Sequence, residues 1–74
     1  MDSLIIRKRI GERIRKIREE KNISQQEIAA LCDFEKSSMS RLEAGRTNPT
    51  VTTLYKISAA LGVTIKDLVD IKLD

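Results

Sequence analysis

The side chains best equipped for chemistry crowd into one stretch, Ser24 to Gly45, which reads SQQEIAALCDFEKSSMSRLEAG. Within it Lys36, Ser37, Ser38, Ser40 and Arg41 supply three hydroxyls and two cations. Covalent chemistry is an unpromising use for them. The chain contains no histidine, and a serine nucleophile needs a neighbouring base. Cys32, the single cysteine, also lacks a partner base and reads as a small buried hydrophobe. It cannot form an intrachain disulfide, and without histidine the Cys/His zinc sites are excluded. The carboxylates are scattered and form no convergent acid–base pair. The reading is therefore not an enzyme, with no catalytic residue, metal or cofactor. What remains is recognition through hydrogen bonds and charge.

The charge balance points to an anionic partner only through its distribution. A net +3 from 14 basic and 11 acidic side chains is modest. However, Arg7, Lys8, Arg9, Arg13, Arg15, Lys16 and Arg18 fall close together and are opposed only by Glu12. From Thr47 onward, Lys56, Lys66 and Lys72 are balanced by Asp67, Asp70 and Asp74. The basic excess thus belongs to the N-terminal half. No apolar run approaches the ~20 residues of a membrane span. The opening MDSLIIRKRIGERIRKIREE is broken by charge too early for a signal peptide. A cytoplasmic, soluble protein is expected.

Five short helices must position these groups, and no segment alternates as a strand would. Ile6, Ile10, Ile14 and Ile17 mark one stripe of a first helix over roughly 6–21, with Asn22 as a left-handed stop. Ser24 and Glu27 form a capping box for a second helix whose Ile28, Ala29 and Cys32 face inward. Asp33 and Phe34 make a turn, and a third helix spans about 36–44 before Gly45. Thr50 caps a fourth with the stripe Val51, Leu54, Ile57 and Leu61, ended by Gly62. Thr64 and Asp67 open a fifth that ends near Val69. Such elements make an all-α, five-helix orthogonal bundle, one domain over 1–74. Residues 1–9 are an N-terminal extension and the start of the first helix, and 70–74 a C-terminal tail.

The third helix keeps only Met39 and Leu42 as large apolar residues. Two short helices joined by a tight turn, the second polar on its outer face, form a helix-turn-helix. A helix of this kind fits the ~12 Å major groove of B-DNA. At this point the sequence resembles the Cro/cI-type (XRE) helix-turn-helix family, with a lambda-repressor-like DNA-binding domain. The resemblance rests on Ser24-Gln25, Glu27-Ile28-Ala29, Met39-Ser40-Arg41-Leu42-Glu43, Gly45, Asn48-Pro49 and Leu61-Gly62-Val63, and covers Ile10 to Leu68. Two positions depart from the pattern. Asp33 stands where a turn glycine is usual, and Glu35 where a Ser or Thr cap is usual.

The resemblance implies a transcriptional regulator of double-stranded DNA: a repressor, a restriction–modification controller or an antitoxin. It implies base reading by Lys36, Ser37, Ser40 and Arg41, with Arg41 suited to a guanine edge. It implies phosphate binding by Gln25, Ser38, Arg46, Thr47 and Asn48, and an ion pair between Arg18 and Glu43. A homodimer is expected, with Ile65, Leu68, Val69, Ile71 and Leu73 as its candidate interface. A toxin or co-regulator is a possible protein partner. The alternative class is a protein-interaction adaptor that keeps the fold without binding DNA on its own. Exposed Glu12–Lys16 and Arg15–Glu19 pairs would partly neutralise the basic helix.

Overall fold

A computed structural model describes residues 3–73. The ends of the expected extension and tail, Met1, Asp2 and Asp74, lie outside the described residues. Five helices follow in order: α1 Ser3–Glu20, α2 Gln25–Cys32, α3 Lys36–Glu43, α4 Val51–Leu61 and α5 Ile65–Leu68. The stops are written in local chemistry. Asn22 and Asp33 take positive φ values of 58° and 59°, and Gly45 and Gly62 take 76° and 72°, the left-handed turn that ends a helix. Both capping boxes form, Ser24 with Glu27 and Thr64 with Asp67, each pair exchanging two hydrogen bonds.

The core is assembled by one deep residue from each helix. Ile14, Ile28, Met39, Ile57 and Leu68 are fully buried and come from α1 to α5 in turn. Cutting any of them to alanine would cost ~2–5 kcal/mol, a lost transfer energy plus a cavity. α3 packs against both α1 and α2, α4 against α2 and α5, and α5 returns to α1. That circuit leaves one side of α3 uncovered.

The structure corrects four sequence expectations. α1 begins at Ser3, earlier than the apolar stripe suggests, and its first turn leaves Leu4 and Ile5 partly exposed. Val51 drops out of the α4 stripe and is 73 % exposed, since it is the first residue of α4 and the buried residues of that helix begin at Leu54. Glu12 pairs with Arg9 at 3.6 Å rather than with Lys16. Leu68 is fully buried in the protomer's own core, so it offers nothing to an interface between subunits.

Gly11 is the one glycine inside a helix, and the packing explains it. A Cβ there would sit 2.4 Å from the Glu43 carbonyl oxygen and 2.7 Å from that of Leu42. α1 therefore rests directly on the C-terminal backbone of α3. Three residues earlier, the Lys8 backbone closes on Gly45 so tightly that a Cβ would lie 2.8 Å from Lys8 Cα.

Candidate nucleic-acid interface

The free side of α3 carries Lys36, Ser37, Ser40 and Arg41, all exposed. Their internal bonds are few and weak. Arg41 Nη2 donates to Ser38 Oγ at 3.3 Å, and Ser37 Oγ to Glu35 Oε2 at 3.5 Å. Glu35 occupies the N-cap in extended conformation, yet its side chain makes no cap bond. The Lys36 and Ser37 N–H groups that open α3 thus receive no side-chain cap from Glu35.

Beneath this face lies a buried polar lock. Arg18 Nε donates to Glu43 Oε2 at 2.7 Å and Nη2 to Oε1 at 3.0 Å, a two-point pair between α1 and α3. Arg18 Nη1 donates to the Ile23 carbonyl at 2.7 Å, and Gln25 Nε2 to Glu43 Oε1 at 2.9 Å. Both charged side chains are almost wholly buried. The hydrogen bond with Glu43 raises the Arg18 pKa, burial opposes the rise, and the Glu43 charge adds to it. Gln25 is thereby held at the first position of α2, with one amide proton spent on Glu43 and the other free.

Two clefts flank the exposed face. One, of about 530 Å³, is lined by Arg15, Arg18, Ser24, Gln25, Gln26 and Lys36. It opens at the N-terminus of α2, where unpaired backbone N–H groups and the helix dipole favour an anion. The other, of about 280 Å³, brings Ser38, Arg41, Thr47 and Asn48 together with Thr50 and Thr53 at the start of α4. Thr50 Oγ1 accepts the Thr53 N–H at 3.1 Å as the α4 cap. Arg46 is exposed beside them, its N–H bonded to the Arg41 carbonyl at 2.9 Å.

Sequence spacing does not bring Arg15 to the α2 cleft, because only the fold apposes α1 and α2 there. It also misses Thr53, whose hydroxyl faces the second cleft from inside α4. The candidate interface residues scatter by comparison. Val69 and Leu73 are 40 % and 38 % exposed, Ile65 and Ile71 are half-buried, and Leu68 is internal. The tail lies along α1, where Arg9, Arg13 and Lys16 line a third cleft with Asp70 and Ile71. Cys32 is buried, and burial pushes its thiol pKa up while nearby Lys56 partly opposes that. Among the described residues, no helix is long and apolar enough to cross a membrane.

Comparisons with known proteins agree with this geometry. Residues 14–68 match the family model described as helix-turn-helix. The HTH-type transcriptional regulator y4dJ of Sinorhizobium fredii is 44 % identical over 64 residues, covering 86 % of this chain and 83 % of y4dJ. Control protein C.BamHI of Bacillus amyloliquefaciens is 42 % identical over 66 residues, 88 % of this chain and 82 % of that protein. Among solved structures, the restriction-modification controller C.AhdI of Aeromonas hydrophila superimposes with a TM-score of 0.88. It shares 26 % identity and covers 92 % of this chain and 99 % of its own. SinR in complex with DNA gives a TM-score of 0.76 at 40 % identity, over 82 % of this chain and 98 % of that one.

Proposed function

The chain belongs to the helix-turn-helix family of transcriptional regulators, and from that premise we propose that it regulates transcription by gripping duplex DNA astride α3. The observation that carries this is the arrangement of the α3 face. A polar, exposed helix stands between two clefts rich in cations and hydroxyls. Lys36, Ser37, Ser40 and Arg41 read base edges in the major groove. Gln25, with Arg15 and the N-terminus of α2, holds one phosphate strand. Ser38, Arg46, Thr47 and Asn48, joined by Thr50 and Thr53, hold the other. Phosphate contacts set most of the affinity and base contacts the sequence choice.

A homodimer on a two-fold operator doubles a small interface. Val69, Ile71 and Leu73, with Ile65 at the edge, supply the contact. Similarity to C.BamHI and superposition on C.AhdI favour a restriction–modification controller among these regulatory roles.

Glu35 supports a second reading, an adaptor that binds protein through the same face, since an uncapped carboxylate faces where phosphates would lie. One experiment decides between them. The protein is mixed with random duplexes at two salt concentrations, and the retained DNA is sequenced. A symmetric motif that Arg41→Ala abolishes, held more weakly at high salt, is expected. Absence of enrichment at low salt from folded protein would overturn DNA binding and favour the adaptor.

A further inference from the structure

Seven arginines occur in the chain, and the fold sorts them into two groups. Arg9, Arg13, Arg15 and Arg18 each have a carboxylate within 4.0 Å, namely Glu12, Asp70, Glu19 and Glu43. Among the described residues, Arg7, Arg41 and Arg46 are paired with none. Two of these three stand on α3 and the loop after it, on the face assigned above to DNA. Arg7 stands on α1, a helix whose other four arginines each have a carboxylate partner, Arg15 among them although it also lines the α2 cleft.

The position of Arg7 relates it to that face. It lies one helical turn before Gly11, which touches the end of α3, and its neighbour Lys8 packs on Gly45, next to Arg46. The α3 C-terminus, where cations are favoured, meets α1 at Gly11, one turn further along the same helix. Arg7 Nε is buried without a hydrogen-bond partner, and neither terminal nitrogen shares that condition. The side chain is thus anchored at its neck, and its terminal Nη donors are the ones left to face outward. Burying an arginine neck without satisfying it is costly, and no bond within the protein compensates for it.

We propose that Arg7 is a phosphate-binding residue, which extends the DNA interface from the α3–α4 loop onto the first turns of α1. The assignment rests on the DNA-binding reading above. Lys8, packed on Gly45 beside Arg46, adds a neighbouring cation, and Arg7 supplies the forked donor that a lysine cannot.

The test measures binding to one mixed-sequence duplex between roughly 50 and 200 mM salt, where each phosphate neutralised contributes about 0.9 to the slope of log affinity against log salt. Wild type is compared with Arg7→Gln, Arg7→Lys and Arg9→Gln, and each variant is melted in parallel. Arg7→Gln is expected to lower the slope by about one contact and weaken low-salt binding several-fold, with an unchanged melting temperature. Arg7→Lys should restore the slope, and Arg9→Gln should leave it alone. A wild-type slope for Arg7→Gln overturns the inference while DNA binding stands. So does a lowered melting temperature with that same slope, which would make Arg7 a strut. If wild type binds no duplex at the lowest salt, the DNA-binding reading fails, and this one with it.

Discussion

α1 meets two partners in two different ways. Against α3 it makes a contact of backbone on backbone, with glycine at each touching point and a buried two-point ion pair alongside. Against α5 the contact runs through side chains: Leu68 sits in the shared core, and Arg13 Nε donates to the Asp67 carbonyl at 2.8 Å and reaches Asp70 at 4.0 Å, on a helix of four residues. The first seam has little slack, since at Gly11 backbone meets backbone with no side chain between them to change rotamer. The second has more give, because it rests on side chains and its polar part is one flexible arginine. The helix proposed to read DNA is held by the rigid seam, and the segment proposed to meet a second subunit by the compliant one.

The comparison breaks most visibly at Gly11. Gly11→Ala places a methyl where the α3 carbonyls already are. Overpacking of this kind costs ~1–3 kcal/mol and occasionally more, and here backbone rather than side chain must move. A loss at or above the top of that range is expected in urea unfolding; an unaffected midpoint would show that the seam has slack. Glu43→Gln comes next. It leaves the Arg18 charge buried with a neutral partner, and removing one member of such a pair costs about 3 kcal/mol. The duplex affinity should fall with it, since Gln25 loses its anchor. Arg13→Ala probes the compliant seam, where a single half-exposed hydrogen bond is worth ~1 kcal/mol. A loss as large as that of Glu43→Gln would erase the distinction.

Two smaller effects sharpen it. Glu35→Ser should gain up to ~1 kcal/mol by supplying the missing cap to α3, read as a higher melting temperature, and should tighten duplex binding by removing a carboxylate. Asp67 sets a pH signature on the compliant side. Its carboxylate accepts the Thr64 N–H and hydroxyl, both at 3.0 Å. The backbone bond foremost, then the hydroxyl, holds its pKa below the usual value. A depressed carboxylate stabilises the fold above the unfolded pKa of about 3.9, and that contribution is lost as pH falls through the lower folded value. The melting-temperature gap between wild type and Asp67→Asn should be present at neutral pH and close in acid. A gap that persists in acid would assign the effect to packing instead.

The helix ends were legible in the sequence because they are local. Ser24 with Glu27, Thr64 with Asp67, and the left-handed stops at Asn22, Asp33, Gly45 and Gly62 all depend on neighbours within a few residues. The exposed side of α3 was legible too, since Met39 and Leu42 turn inward and leave Lys36, Ser37, Ser40 and Arg41 to solvent. What escaped depends on apposition. Gly11 breaks a helical pattern for a reason that lies 32 residues away in Glu43. Leu68 and Val69 are adjacent apolar residues, and only the return of α5 to α1 puts one in the core and the other at the surface. Arg15 reads as half of an exposed pair with Glu19, which it is at 3.3 Å, yet it also lines the cleft beside Gln25.

The glycine seam also has a mechanical meaning. If α1 and α3 move as one piece, distortion under load falls on the joint on another face of α1, where Arg13 holds α5 and the tail. In the proposed homodimer, a few degrees of rotation at that joint would be magnified along a protomer 32 Å long into a shift between the two reading heads. Tolerance to altered spacing between operator half-sites would then be a property of the hinge, and fidelity to each half-site a property of the head. Stiffening the joint should narrow the range of accepted spacings without changing the bases that are read.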